Sequence, residues 1–184
     1  MIQVLHGVVR NGQVQLDQPV RMPDGVRVSL TIAKVESEGP VATGPIVIAG
    51  MGLSGHFLLE WCQKRGAPAV CIERNAETVS RLIRAGHRAI CGDVCDDAIL
   101  QSLDLPNCAA VALMMPDELT VLAAVEKIRR LSAGVLLLAR SNFNKTAQRL
   151  RLAGADEVVD EEALVAYEII GRIESRLARS DPPA

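Results

Sequence analysis

Residues 46–55 have the sequence IVIAGMGLSG, an apolar run followed at once by three glycines at G-x-G-x-x-G spacing. The run predicts a buried strand, and the turn after it predicts direct passage into a helix. In such a unit Gly50 permits a tight turn, Gly52 lets a diphosphate approach the backbone, and Gly55 lets the helix pack closely on the strand. The segment therefore predicts a phosphate-binding turn that begins an α/β sheet.

The same alternation of short apolar runs and longer amphipathic segments continues from Pro45 to about residue 160. Near-continuous apolar strands separated by helices are typical of a parallel sheet that is covered on both faces, because right-handed helical crossovers connect parallel neighbours. We therefore predict a Rossmann-like, doubly wound α/β fold with a six-stranded parallel sheet. The predicted strands are 46–49, 69–72, 89–91, 110–113, 135–138 and 157–159, and the predicted helices lie near 53–65, 76–85, 96–103, 117–131 and 144–153.

The start of the chain has a different pattern, that of a small β unit. Apolar segments flank the turn dipeptide Asn11-Gly12, and residues 26–32 alternate between apolar and polar side chains. A unit of this size cannot bury a stable core alone, so we expect it to pack on the main domain or on a copy of itself, as a dimerisation or docking module. The predicted domains are the β unit 1–34, a linker 35–44, a nucleotide-binding domain 45–179 and a tail 180–184.

Composition excludes several functions for these 184 residues. The net charge of −2 and the 2% aromatic content argue against nucleic-acid binding, which needs clustered basic groups or stacking side chains. The apolar runs are shorter than the ~20 residues of a membrane-spanning helix, and the N-terminus lacks signal-peptide features. We therefore expect a cytoplasmic protein without membrane insertion. The five cysteines lie mostly in apolar segments, which indicates buried thiols, and Cys91 and Cys95 lack the partners of a metal site.

The end of the second predicted strand carries an acidic residue where a nucleotide site needs one. Glu73 follows the glycine turn by about 20 positions, the spacing at which a carboxylate accepts hydrogen bonds from a ribose. This carboxylate would repel a 2′-phosphate, which favours NAD or an adenine nucleotide over NADP. Arg74 would accept such a phosphate, so NADP stays an alternative.

Further contacts are expected where later strands end. Asp93 is a second polar contact on the adenosine side, although either Asp93 or Asp96 would also serve to cap the next helix. Met114 and Met115 end the fourth strand and are expected to form a wall of the site. The predicted nucleotide contacts are Gly50, Met51, Gly52, Leu53, Ser54, Gly55, Glu73, Arg74, Asp93, Val94 and Met115.

Groups for catalysis do not accompany this site. His6, His56 and His87 are dispersed, and none forms a dyad with a nearby nucleophile. His56 is nearest the expected phosphates, and its helix position favours packing over catalysis. A nucleotide site without catalytic groups indicates a sensor and not an enzyme. The alternatives are a small NAD-dependent oxidoreductase whose substrate site forms at a dimer interface, and a fold retained for assembly alone.

Several motifs match a known family. They are IVIAGMG at 46–52, CIERN at 71–75, AICGD at 89–93, VLLLAR at 135–140 and LAGADEVV at 152–159. On these blocks, residues 45 to about 178 resemble the RCK (KTN) N-terminal domain of the regulators of K⁺ conductance and Trk-type potassium uptake. The resemblance implies a cytoplasmic subunit that binds NAD(H) or ATP/ADP through the glycine turn, Glu73 and Asp93. It also implies control of a membrane potassium channel or transporter.

The last predicted helix carries an apolar stripe. Large apolar side chains recur there at steps of three and four residues, which places them on one face. The resemblance implies dimerisation through this helix, whereas the alternative is packing on the chain's own sheet. The stripe consists of Leu164, Tyr167, Ile170, Ile173 and Leu177.

Overall fold

A computed structural model describes residues 44–177, except for the side chain of Ser175, and the backbone of residues 7–10 and 13–16. The chain divides into two units, Met1–Val35 and Glu36–Ala184. In the first unit, β1 (Gly7–Arg10) and β2 (Gln13–Leu16) form an antiparallel pair. The predicted strand at 26–32, the linker as far as residue 43 and the tail lie outside the described residues.

The second unit contains a six-stranded sheet in which every pairing is parallel. This confirms the predicted Rossmann-like fold, with element ends shifted by a few residues. A short 3-10 turn, Leu105–Asn107, precedes the fourth strand of this sheet. In chain order the elements are β3 Ile46–Ala49, α1 Leu53–Arg65, β4 Ala69–Glu73, α2 Ala76–Arg84, β5 Arg88–Cys91, α3 Asp97–Gln101, β6 Ala110–Leu113, α4 Glu118–Leu131, β7 Leu136–Ser141, α5 Asn144–Leu152, β8 Glu157–Asp160 and α6 Glu161–Leu177.

Strand order places a crevice at the end of β3. The order is β5-β4-β3-β6-β7-β8, so the chain direction across the sheet reverses beside β3. Ala49 at the end of β3 lies opposite Ile72 of β4 on one side and Leu113 of β6 on the other. Crossovers on the two sides of this point leave on opposite faces of the sheet, which opens a crevice at the carboxyl ends of the strands.

The core consists of two apolar clusters, one on each face of the sheet. In β3, Val47 packs in a cluster with Ile128 of α4, whereas Ile48 packs with Leu59 of α1 and Leu82 of α2. Alternate residues of a strand point to opposite faces, so a strand covered on both faces is apolar throughout. This is why β3 reads as an uninterrupted apolar run.

Side-chain caps define where three helices begin. Asn75 accepts a hydrogen bond from the amide of Thr78 at the start of α2, and Asp117 accepts one from the amide of Thr120 at the start of α4. Asp96 caps α3 by accepting from the amide of Ala98. Of the two candidates that the sequence left open for α3, the cap is therefore Asp96.

The described cysteines differ in burial, which corrects part of the sequence expectation. Cys62, Cys71 and Cys108 are buried, whereas Cys91 is exposed and Cys95 is half-buried. Burial raises the pKa of the Cys71 thiol to about 11, so this thiol stays protonated at neutral pH. Cys91 is exposed because β5 is an edge strand of the sheet.

Two kinds of feature are absent from the part of the chain that the structure describes. Within it, no helix combines the length and the apolar character that a bilayer crossing requires. Nor do three or more His, Cys, Asp or Glu side chains in these residues come together as metal ligands would.

Asp156 connects the start of β8 to β7 and α4. Its Oδ2 accepts hydrogen bonds from the amide of Leu137 at 2.7 Å and from Nη2 of Arg129. Arg129 also donates from Nη1 to the carbonyl oxygen of Val135 at 2.7 Å. The bond from the Leu137 amide, followed by the contact with Arg129, lowers the pKa of Asp156. The ionised carboxylate therefore stabilises this edge of the sheet.

We expect Asp156→Ala to lower the free energy of unfolding by about 1–3 kcal/mol at neutral pH, since it removes the acceptor of the Leu137 amide and of Nη2 of Arg129. At about 2–4 °C per kcal/mol, the melting temperature should fall by several degrees. Because the folded pKa lies below the unfolded value, the carboxylate stabilises the fold above the unfolded pKa of about 3.9, and this contribution is lost as pH falls through the folded pKa.

Thermal unfolding between neutral and acidic pH measures this effect. The control is Glu126→Ala, which removes an exposed carboxylate from α4 and should change little. A difference between wild type and Asp156→Ala that stays constant from pH 7 down to about pH 2 would contradict the assignment to the ionised carboxylate.

Candidate functional site

A cleft of about 470 Å³ lies at the carboxyl ends of β3 to β7, where the strand order opens the crevice. Because parallel strands end at one edge of the sheet, residues distant in the sequence meet here. Most of the predicted nucleotide contacts line this cleft. They are Gly50, Gly52, Leu53, Ser54, Glu73, Arg74, Asp93, Val94 and Met115.

Met51 and Gly55, which we also predicted as contacts, are not among the residues that line the cleft. Met51 is buried in the cluster beneath α1. At Gly55, a Cβ atom would lie 2.1 Å from the carbonyl oxygen of Gly50. Both residues therefore support the turn on the side away from the cleft, where α1 packs directly on it.

The glycine turn is closely packed at Gly50 and open at Gly52. Gly50 has a φ of +92°, and a Cβ there would lie 2.9 Å from the amide nitrogen of Met115. Gly52 has an ordinary φ of −72°, and a Cβ there would meet no heavy atom within 4 Å. The fold itself therefore requires glycine at position 50, whereas Gly52 preserves open space beside the cleft.

Glu73 fastens the glycine turn to the end of β4. Its Oε2 accepts a hydrogen bond from the amide of Met51 at 2.8 Å, and its Oε1 accepts one from the amide of Asn75 at 2.8 Å. Each carboxylate oxygen has a second lone pair, so the group can also accept from the hydroxyls of a ribose. Glu73 thus has a role in positioning the turn that its spacing in the sequence did not indicate.

Asp93 and Arg74 face each other on the β4–β5 side of the cleft. Nη1 of Arg74 lies 4.0 Å from Oδ2 of Asp93, and Oδ1 of Asp93 accepts a hydrogen bond from the amide of Cys95 at 2.8 Å. The Arg74 side chain is 76% exposed, so this ion pair is weak and leaves the guanidinium available to solvent or ligand. Asp93 remains at the cleft and shapes the loop after β5.

The opposite side of the cleft contains residues that we did not predict as contacts. Pro116, Asp117 and Thr120 come from the start of α4, and Arg140 comes from β7. The signal that could have identified Arg140 was its place at the end of a predicted strand, because parallel strands share a carboxyl edge. The remaining unpredicted lining residues are Ala49, Ile72 and Gly92, whereas Met114 lines the cleft as the expected wall.

Asp117 is an ionised group on this opposite side. Hydrogen bonds from the hydroxyl of Thr120 and then from its amide hold the pKa of Asp117 below its usual value. At neutral pH it is therefore a carboxylate at the positive end of α4. The charged side chains that line the cleft are Glu73, Arg74, Asp93, Asp117 and Arg140.

His56 and His87 are not among the residues lining this cleft. Nδ1 of His56 lies 2.9 Å from the carbonyl oxygen of Gly52, the residue just before its helix α1. Nε2 of His87 lies 3.1 Å from Nε2 of Gln63. Both histidines border a groove between α1 and α2, and His56 is exposed there.

The TrkA-N domain family matches residues 46–161, more than half of the chain. No curated protein sequence matches the chain. Among solved structures, the TrkA-N domain of the inner membrane protein ybaL from Escherichia coli is similar, with a TM-score of 0.66 and 22% sequence identity. That match covers 72% of this chain and 98% of the other.

Structures with bound nucleotides share the fold. GsuK bound to NAD and GsuK bound to ADP match with TM-scores of 0.59 and 0.61 and identities of 20% and 23%. These matches cover 75% and 73% of this chain but 22% and 34% of the GsuK chains. The AMP-bound Kef CTD of Shewanella denitrificans matches with a TM-score of 0.57 and 17% identity, over 75% of this chain and 92% of the other.

Proposed function

The chain belongs to the TrkA-N domain family, and we propose that it binds NAD(H) or ATP/ADP and thereby regulates a membrane potassium channel or transporter from the cytoplasm. The family match confirms the resemblance stated from the sequence motifs. The observation that carries the proposal is the cleft at the carboxyl ends of β3 to β7, where Glu73 holds the glycine turn in place.

The shape of the turn supports a bound diphosphate. Among the residues that line the cleft, Gly52 leaves open space, and α1 begins there without a side-chain cap or an acidic residue in its first turn. The amides of that first turn are therefore available to phosphate oxygens, and the helix dipole favours the negative charge. Glu73 and Asp93 then face the adenosine half, with the ribose hydroxyls donating to Glu73.

Charge in the cleft favours a nucleotide without a 2′-phosphate. On the adenosine side, the cleft is lined by Glu73, Arg74 and Asp93, and Nη1 of Arg74 lies 4.0 Å from Oδ2 of Asp93. A 2′-phosphate would meet two negative groups and one positive group there, and like charges at short range are unfavourable. GsuK is known with NAD and with ADP, and the Kef CTD with AMP, ligands that share adenosine and its first phosphate.

A regulatory role fits the charged groups that line the cleft better than catalysis does. A general acid or base works best with a pKa near the operating pH, whereas the pKa of Asp117 is lowered. Glu73 and Asp93 each accept hydrogen bonds from backbone amides, which occupies them in positioning loops. The alternative of an oxidoreductase predicts hydride transfer to a carbonyl substrate in the presence of NADH, and we expect none.

Thermal unfolding against NAD⁺, NADH, NADP⁺, ATP, ADP and AMP tests the proposal. A ligand at about 100 times its Kd stabilises the folded state by about 2.7 kcal/mol, which corresponds to a rise of several degrees. We expect this rise with NAD(H) or with ATP/ADP and not with NADP⁺. Glu73→Ala should remove it, because the variant loses both the ribose acceptor and the bond to the Met51 amide.

The matched control is Glu77→Ala, which removes an exposed carboxylate from the first turn of α2. It should retain the ligand-dependent rise. If no nucleotide raises the melting temperature of folded wild-type protein, the proposed function is wrong.

Helix α6 supports a dimer as the regulatory unit. Within the described chain, each side chain of the apolar stripe on α6 is about half or more exposed. The chain's own sheet therefore does not cover the stripe. Burying such side chains against a second copy would remove a large apolar area from water. The exposed large side chains are Leu164, Val165, Tyr167, Ile169, Ile170, Ile173 and Leu177.

We expect Ile170→Glu combined with Ile173→Glu to convert a dimer into a monomer, because each would place a charge in an apolar interface. Light scattering coupled to size-exclusion chromatography measures the mass directly. Glu168→Gln, an exposed polar change on the same helix, should leave the dimer intact. A monomeric wild type at high protein concentration would contradict the dimer.

A further inference from the structure

Arg140 lies between the cleft and the start of helix α6. It lines the cleft from β7, and its Nη2 lies 2.8 Å from Oε1 and 2.9 Å from Oε2 of Glu161, the first residue of α6. The same Nη2 donates to Oδ1 of Asn142 at 3.1 Å. One side chain therefore touches both the candidate ligand site and the helix that supports dimerisation.

The Nε atom of Arg140 is buried and has no hydrogen-bond partner. Among the described residues it is the one buried side-chain nitrogen or oxygen in that condition. A buried donor without an acceptor is unfavourable, and a guanidinium hydrogen bond to an oxygen acceptor would relieve it. The Arg140 side chain is 21% exposed and lines the cleft, so a ligand in the cleft can contact part of it.

The position of Arg140 identifies the part of a ligand that would meet it. β7 lies two strands from β3, a distance of about 10 Å at roughly 4.8 Å per strand. The phosphate of AMP, seated on the glycine turn, would not extend this far toward β7. The second nucleoside of a dinucleotide extends beyond the diphosphate and carries ribose and carboxamide oxygens that accept hydrogen bonds.

We propose that Arg140 binds the second nucleoside half of a dinucleotide and transmits its presence to α6 through Glu161. The inference rests on the proposed function, since it assumes a nucleotide seated on the glycine turn. A ligand oxygen that accepts from Nε draws the guanidinium toward the cleft, which changes the contact that Nη2 makes with both carboxylate oxygens of Glu161. The first turn of α6 then responds to a dinucleotide and not to AMP.

Two measurements test the proposal on the full chain. Calorimetry with NAD⁺ and with AMP gives the affinities, and amide hydrogen exchange of residues 161–177 at saturating ligand reports on α6. Arg140→Lys keeps the positive charge but loses the planar guanidinium and its Nε–H donor. For this variant we expect about tenfold weaker NAD⁺ binding and unchanged AMP binding. For Glu161→Gln, we expect NAD⁺ affinity within about threefold of wild type and loss of the NAD⁺-dependent change in exchange.

The matched control is Arg172→Lys, which alters an exposed Arg–Glu pair within α6 and should behave as wild type in both measurements. Unchanged AMP binding shows that the cleft of Arg140→Lys is folded, and Glu161→Gln tests the proposal independently. Wild-type NAD⁺ affinity in Arg140→Lys, or a retained exchange response in Glu161→Gln, overturns this inference while the proposed function stands. A wild type that binds no nucleotide overturns both.

Discussion

Gly52→Val is expected to abolish nucleotide binding while leaving the free energy of unfolding close to that of wild type. A Cβ at Gly52 meets no heavy atom within 4 Å, and the φ of −72° is one that any residue adopts. The valine methyl groups would instead occupy the space in which a diphosphate approaches the first turn of α1. We expect affinity to fall by roughly a hundredfold or more, which calorimetry on the folded variant measures.

The control for this prediction is Gly134→Val, at a second glycine whose added Cβ would meet nothing within 4 Å. Gly134 is not among the residues lining the cleft, so its substitution should leave affinity unchanged. If Gly52→Val binds nucleotide as well as wild type does, the ligand does not lie over this turn. The alternative of a fold retained for assembly would then gain support, provided that regulation also survives.

Gly55→Ala is expected to cause the largest loss of stability among single methyl additions to the glycine turn. The new Cβ would lie 2.1 Å from the carbonyl oxygen of Gly50, and this oxygen belongs to the backbone of the turn. A backbone atom cannot rotate aside, so α1 must move away from β3 and weaken the cluster around Ile48. We expect a loss of about 3 kcal/mol or more in the free energy of unfolding.

Chemical denaturation of Gly55→Ala measures this loss, with Gly171→Ala as the matched substitution of a helical glycine. A Cβ at Gly171 would meet nothing within 4 Å, so alanine there should stabilise α6 slightly, by about 0.5–1 kcal/mol. The two variants should therefore change stability in opposite directions. A loss below about 1 kcal/mol for Gly55→Ala would contradict the close packing of α1 on the turn.

Local patterns in the sequence were enough to predict the fold class and the position of the glycine turn. An apolar run such as residues 46–49 is typical of a strand covered on both faces, whatever its neighbours are. The positive φ of Gly50 and the tight packing at Gly55 likewise follow from a motif of six consecutive residues. Glu73 could be predicted as a contact at the end of the second strand, because the length of a βαβ unit fixes its distance from that motif.

The contacts between distant segments could not be predicted in this way. Arg140 belongs to the cleft because β7 lies two strands from β3, and its neighbour Glu161 begins a helix that follows another strand. The burial of Met51 beneath α1, which removes it from the lining of the cleft, depends similarly on how α1 sits on β3. The spacing of apolar residues and the residue types at turns specify each helix or strand within a window of some ten residues. The cleft, in contrast, is formed by strand ends that only the packed sheet brings together.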